Sequence, residues 1–370
     1  PTPGVAVVGV GGAGVNAVTR LQDVGLEGVA FVAVDTSDQT LRRAADAVRV
    51  SLGRYTKGLG TGSDAALGEA AARAGAKDVA AALMGADLVF VAAGLAGGTG
   101  GGAGPVVAQA ARSSGAVTVG FGETPFAFEA PRRAAAAEAA RRRLAASCDA
   151  TVILDNQRAL ELAGKAVSLD VALRVADDVL RQAVQGLSSL VTECGPINVD
   201  LAVVRDLLTK GGECCLALGV GRGPGAAHRG MVAALDSPLA DMAALGRAPA
   251  VLAQVTGGED LAVRDTAEAV DLLRSRLSAD CRLVVGTGFD STLAGACQVT
   301  VLATGLQRAP RTVVDFPADS SDWRRAAGLA GAKPRDHHEY AVTGQVIGGE
   351  GTGSGAAGPA PDLPVGPIRR

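Results

Sequence analysis

Two glycine-rich turns carry the residue pattern best suited to chemistry. The first reads Gly9-Val10-Gly11-Gly12-Ala13-Gly14, and the second runs Gly94-Leu95-Ala96-Gly97-Gly98-Thr99-Gly100-Gly101-Gly102-Ala103-Gly104. Each lies between an apolar, strand-like run and a helix-compatible run. Glycine lets several backbone N–H groups converge on one point, and a helix starting there adds the positive end of its dipole, so each turn suits an anion. Two such turns in one region predict a ligand with several phosphates. Neither contains the Gly-Lys-Ser/Thr of a Walker loop. The phosphate charge must then be met by amides, by a helix N-terminus expected near Pro105, and by Mg2+. Taken alone, Gly9-x-Gly11-x-x-Gly14 also fits a dinucleotide site, with Asp35 closing the next strand where such sites hold a ribose hydroxyl. That competing reading is an NAD-dependent oxidoreductase. It lacks an obvious His, Lys or Tyr to handle the proton that accompanies hydride transfer, and it leaves the second turn unexplained.

The elements that must position these turns follow from the apolar runs. Val5–Val10, Val29–Val34, Ala86–Ala93, Ala116–Phe121 and Thr151–Leu154 alternate with alanine-rich stretches. That alternation predicts an α/β fold of Rossmann-like βαβ units with a parallel sheet covered by helices. An amphipathic stretch from about Leu169 to Leu190 predicts a long central helix. Beyond it, runs at Cys214–Val220, Ala250–Thr256, Arg282–Thr287 and Gln298–Thr304 alternate with helical patterns at Ala226–Leu235 and Val263–Leu277, a smaller mixed α/β domain. The expected organisation is a nucleotide-binding domain over 1–168, a connecting helix over 169–192, a second domain over 193–306, and a tail over 307–370. Proline, glycine, serine and charge dominate that tail, which is expected to be mostly disordered.

Composition removes other classes. With 370 residues, 48% of them hydrophobic, the chain can bury a large core. A net charge of −3 gives no general basic surface, so nucleic acid is not an expected partner. No transmembrane run or signal peptide stands out, and a cytoplasmic protein is expected. The six cysteines form no Cys-x-x-Cys pair and read as reduced core thiols. Three histidines poorly supply a histidine-built metal site or triad, and no metal ligands are assigned.

Taken in order, these motifs resemble the tubulin/FtsZ superfamily and, within it, the FtsZ cell-division GTPases, from about Val5 to Gly305. The first turn, with Gly11, Gly12, Ala13 and Asn16, looks like the family's first phosphate loop, and Asp35-Thr36-Ser37-Asp38-Gln39-Thr40-Leu41 like its Asn-Thr-Asp-x-Gln-x-Leu segment. The Gly58–Asp64 loop, with Gly60, is similar to the segment that senses the γ-phosphate. Ala93 to Pro105, with Gly94, Gly97, Gly98, Thr99 and Gly100, is similar to the signature loop. Glu129 and Arg133 match the family's ribose and phosphate contacts, and Asn156 and Asp178 its guanine contacts. A carboxylate such as Asp178 can accept from guanine N1 and N2 donors that adenine lacks. Arg141, Arg142 and Arg143 have no counterpart and are expected on an exposed face.

The resemblance implies a cofactor of GTP or GDP with Mg2+, head-to-tail self-assembly or assembly with a related subunit, and location at a division site. It also implies hydrolysis completed by the next subunit's loop, here Gly195-Pro196-Ile197-Asn198-Val199-Asp200, with Asn198 and Asp200 as catalytic residues. FtsZ carries a second aspartate three residues after the first; this chain has Val203, and Asp206 lies a turn further on. Valine can neither take a proton nor orient water, so slow hydrolysis is expected, the alternative being a catalytically silent protein that assembles with an active paralogue. Ala96, Gly101, Glu123 and Leu173 are milder departures, Leu173 replacing an aromatic that would stack on the base. Asp362-Leu363-Pro364 with Ile368-Arg369-Arg370 is faintly similar to the terminal peptide that recruits membrane-anchor or division proteins.

Overall fold

The computed structural model describes residues 3–26, 28–158, 169–192, 199–209, 212–237 and 242–307, all within one compact unit. Among the described residues ten strands make a single sheet: β1 Val5–Val10, β2 Val29–Asp35, β3 Val48–Ser51, β4 Leu88–Gly94, β5 Val117–Thr124, β6 Ala150–Asp155, β7 Gly212–Arg222, β8 Ala250–Gly257, β9 Arg282–Phe289 and β10 Ala296–Gln307. Their order is β3-β2-β1-β4-β5-β6-β7-β10-β8-β9. Every neighbour from β3 to β7 pairs in parallel, whereas β10 runs antiparallel to both β7 and β8. The sequence of β1, VAVVGV, is buried at every position, which is how a parallel strand covered by helices on both faces must read.

Side chains alternate across the sheet and so build two cores from the same strands. Val5 and Val7 face one layer with Phe90 and Phe121, while Val8 and Val10 face the other with Val89 and Val91. The described helices are α1 Gly11–Val24, α2 Asp38–Leu41, α3 Ala65–Ala74, α4 Ala76–Ala82, α5 Gly98–Ser113, α6 Pro131–Ser147, α7 Leu169–Thr192, α8 Leu201–Thr209, α9 Ala226–Leu235, α10 Met242–Arg247 and α11 Val263–Arg274. Leu180, Leu187 and Leu190 of α7 with Val204, Leu207 and Leu208 of α8 complete the first core; Val106 and Val107 of α5 contribute to the second. A third core joins α9, α10 and α11 to the outer strands through Met231, Leu245 and Leu273.

Strand β3 was not expected from the sequence. Its four residues, Val48-Arg49-Val50-Ser51, do alternate apolar with polar, but the run is short and at the sheet edge only Val50 of the four is buried. The larger correction concerns α5, which begins at Gly98 rather than near Pro105. Its glycines belong to the helix itself, because a Cβ at Gly100 would stand 2.3 Å from the Gly94 carbonyl oxygen, at Gly101 2.4 Å from that of Leu95, and at Gly102 2.1 Å from that of Ala65. Pro105 lies inside this helix and cannot donate to the carbonyl of Gly101 four residues earlier. Arg143 of α6 supplies the missing donor, its Nη2 lying 2.8 Å from that oxygen while Nη1 reaches Glu69 of α3 at 2.9 Å.

The arginine run is therefore not a single exposed face. Arg141 is shared between Glu213, 2.8 Å from Nε, and Glu138, 3.2 Å from Nη1, whereas Arg142 is 71% exposed. Charge-assisted bonds to a neighbouring helix and to β7 give Arg141 and Arg143 structural work that periodicity does not reveal.

Candidate nucleotide site

The strand order reverses direction at β1, between β2 and β4, and the crevice beyond the carboxyl ends of such strands is where open α/β sheets hold ligands. Both glycine turns end there. Gly11 opens α1 with φ of +73°, and a Cβ on it would lie 2.7 Å from the backbone nitrogen of Gly100, so the two turns touch. A Cβ on Gly98 would stand 2.2 Å from Thr61 Oγ1 and 2.7 Å from the Asp64 nitrogen, which brings the 58–64 loop against the same helix start. Gly12, by contrast, has nothing within 4 Å of its Cβ position and faces open space. The result is a cavity of about 440 Å³ bordered by the N-termini of two helices, a ready place for phosphate oxygens.

Polar groups converge on this cavity. Asp35, 3% exposed, accepts from the backbone N–H of Thr36 at 2.6 Å and of Ser37 at 3.1 Å. Burial nevertheless outweighs these bonds and holds its carboxyl above the ordinary range. Thr36 Oγ1 lies 2.7 Å from Thr99 Oγ1, joining the end of β2 to the second glycine turn. Glu129 accepts from the Phe126 N–H at 2.9 Å and pairs with Arg133 at 2.5 Å, closing the loop that follows β5. Glu123, at the end of β5, is 8% exposed, and burial pushes its carboxyl up to about 7 against the pull of Arg20. Asn156, just past β6, is 7% exposed, and its Oδ1 has no hydrogen-bond partner. An orphaned buried acceptor at a cavity wall suits a ligand that brings N–H donors.

Of the residues singled out in the sequence, Gly12, Ala13, Asp35, Gly60, Gly94, Gly97, Gly98, Thr99, Gly100, Glu129, Arg133 and Asn156 line this one cavity. Gly11 and Thr36 support it from behind, and Asn16 sits half-buried on α1 without lining it. Asp178 is not brought to it. It is half exposed on α7, bonded to Arg181 and Gln182 at 2.7 Å each, and borders a separate apolar cleft with Val175 and Val220. The reason is helical phase. Leu173 lines the nucleotide cavity, and Asp177 four residues on shares its face, whereas Asp178 is turned about 100° further round. Asp177 is buried and paired with Arg20 of α1, and it does not line the cavity either.

The catalytic assignments lie elsewhere. Asp200 is exposed at the start of α8, its carbonyl accepting from the N–H groups of Val203 and Val204 at 2.9 and 3.2 Å. Val203 packs against the first core, and Asp206 is paired with Arg282 of β9. Asn198 with 195–197, and the tail with its terminal peptide, fall outside the described residues.

A parallel sheet whose switch point is closed by two glycine-lined helix N-termini defines a nucleotide-binding α/β protein. Residues 4–164 match the model of the Tubulin/FtsZ family, GTPase domain, and residues 212–307 that of the FtsZ family, C-terminal domain. A point mutant of FtsZ from M. jannaschii is 37% identical over 81% of this chain and 90% of its own, with a TM-score of 0.76. An empty FtsZ dimer from M. jannaschii is 34% identical over 86% of this chain and 96% of its own, with a TM-score of 0.77. A GTPγS-bound protofilament of CetZ2 from Haloferax volcanii, 24% identical over 83% of this chain and 94% of its own at a TM-score of 0.68, shares the fold. The chain belongs to the tubulin/FtsZ family. No helix among the described residues is long and apolar enough to cross a membrane.

Proposed function

We propose that this chain binds GTP and GDP in the cavity at the switch point and assembles head to tail into filaments in which hydrolysis is slow. The observation that carries the reading is the meeting of both glycine turns, Gly11 against Gly100, around a cavity that also holds the unpartnered Oδ1 of Asn156. In this reading the amides around Gly12 and Gly98 hold phosphates, and Arg133 with Glu129 holds the ribose side. Asn156 accepts from the base and Leu173 covers its apolar face. Among the described residues no three His, Cys, Asp or Glu are grouped to hold a metal, so Mg2+ would enter with the phosphates and offset their charge. The domain limits at 168, 192 and 306 belong to the same proposal, as does a role in division.

The reading of slow turnover is supported by α8. Asp200 stays exposed for the neighbouring subunit, but the residue one helical turn on is an apolar side chain engaged with the core, and the next acid is held by Arg282. Losing a positioned acid or base commonly costs about a hundred- to ten-thousand-fold in rate. The same observation favours a second reading, a silent member that assembles with an active paralogue. A heterologous head-to-tail interface permits open polymers in either case. The test is high-speed sedimentation with GTP, GDP or no nucleotide, with released phosphate read in the same tubes. GTP-dependent pelleting with little phosphate supports slow hydrolysis; brisk phosphate release refutes it, and absence of nucleotide-dependent pelleting refutes self-assembly.

A further inference from the structure

Three carboxyls, those of Asp35, Glu123 and Glu129, border the nucleotide cavity against one guanidinium, that of Arg133. Arg133 is already paired with Glu129, so among the described residues the cavity wall offers no spare positive side chain to a polyphosphate. Asp35 is held by two backbone N–H groups, and the Thr99 and Thr40 hydroxyls also favour its ionised form. Glu123 differs. No described group donates a hydrogen bond to its carboxyl, and its strand position pairs with Gly94 of the second glycine turn on one side and Leu154, two residues before Asn156, on the other. It therefore stands between the phosphate cradle and the orphaned Asn156 acceptor, on the floor of the site. Among the described charged groups, Arg20 of α1 is the one that pulls on it electrostatically, and that guanidinium is engaged by Asp177 of α7.

An ionised carboxylate at that place would face a nucleotide's oxygens with no donor between them, a like-charge contact at a buried position. A neutral carboxylic acid has an O–H to give. We propose that Glu123 is a nucleotide-contacting residue that binds as the neutral acid, donating its O–H to an oxygen of the ligand, so that filling the cavity takes up one proton from solvent. This rests on the nucleotide-binding reading above. The proton balance is simple: above neutral pH the empty site holds the carboxylate, the complex holds the acid, and buffer supplies the difference. Burial has already moved the empty-site group up to about 7, and the complex holds the acid at pH 8 if the ligand binds the acid at least about a hundredfold more tightly than the carboxylate.

The experiment is calorimetric titration of the full chain with GDP at pH 8.0 in two buffers of different ionisation enthalpy, repeated with Glu123→Gln, whose amide keeps a neutral donor of similar size. With the group near 7 in the empty site, about nine tenths of it is ionised at pH 8, so wild type should take up about 0.9 proton. The nucleotide's terminal phosphate, which titrates near pH 6, is silent there. Wild-type affinity should fall about tenfold from pH 7.5 to 8.5 while that of the Gln variant stays flat. Uptake near zero in wild type, or the same pH slope in both proteins, overturns the proposal and leaves nucleotide binding standing. Absence of binding even at pH 6.0, where the acid is neutral, overturns the nucleotide reading and the proposal with it. The wild-type uptake alone decides the matter should the variant not fold.

Discussion

Arg143 replaces a backbone donor that Pro105 removes, and that substitution of one hydrogen bond for another can be measured. Arg143→Met keeps the aliphatic stem and deletes the guanidinium. The Gly101 carbonyl, buried within α5, then loses its 2.8 Å partner. An unsatisfied buried acceptor that had a charged donor costs about 1–3 kcal/mol. The Glu69 contact adds little, because the two side chains are 39% and 32% exposed and such pairs contribute about 0–1 kcal/mol. The sum is about 2 kcal/mol, or a Tm lower by about 3 °C for a unit of this size. The second arm carries the logic. Pro105→Ala restores an N–H to the helix, and in that background Arg143→Met should cost only the exposed ion pair, about 0.5 kcal/mol. Urea denaturation of the four proteins, with equal m values, gives a coupling near 1.5 kcal/mol. An equal cost of Arg143→Met in both backgrounds would refute the donor-replacement argument outright.

Val203→Asp should raise phosphate release about a hundredfold or more with pelleting retained; unchanged release from intact filaments sinks the explanation of slow turnover. Asn156→Ala should weaken GDP about tenfold, by removing the acceptor that the base satisfies, while Asp178→Ala stays within twofold; the reverse order, read by fluorescent-nucleotide displacement, would restore Asp178 to the site. The nucleotide-free protein should also lose stability as pH rises. The folded pKa of Glu123 lies above its ordinary 4.5, at about 7, so the folded chain binds that proton more tightly than the unfolded one. Its contribution is present below pH 4.5 and lost on passing through about 7, amounting to about 3 kcal/mol. Denaturation curves at pH 5 and 8 should differ between wild type and Glu123→Gln by that amount, and parallel pH dependences would contradict it.

Strands with an unbroken apolar run were legible from sequence because burial on both faces leaves no ambiguity. Val5–Val10 was read with its final bounds, as was helix Ala226–Leu235. What escaped were features fixed by contacts distant in sequence. The start of α5 was misplaced because glycines and an internal proline argue against helix by propensity, whereas close approach of the Gly94, Leu95 and Ala65 carbonyls demands glycine there. Arg143 read as surface because its acceptor lies 42 residues away. Glycine spacing located the cradle, but seeing that Asp178 borders a different cleft needed the phase of α7 against the sheet, which one residue of helix rotation decides.

The seam between β6 and β7 bears on how the molecule breathes. Among the described residues Ala150, Thr151 and Val152 register with Gly212, Glu213 and Cys214, fewer positions than any other described pairing, whereas β10 registers with β8 over eight positions. Deuterium entering the amides should therefore trace two slowly exchanging islands divided by a quicker strip at 212–214, opening below the energy needed to unfold either side. Such a strip would let strain arising in one half dissipate before the other half feels it.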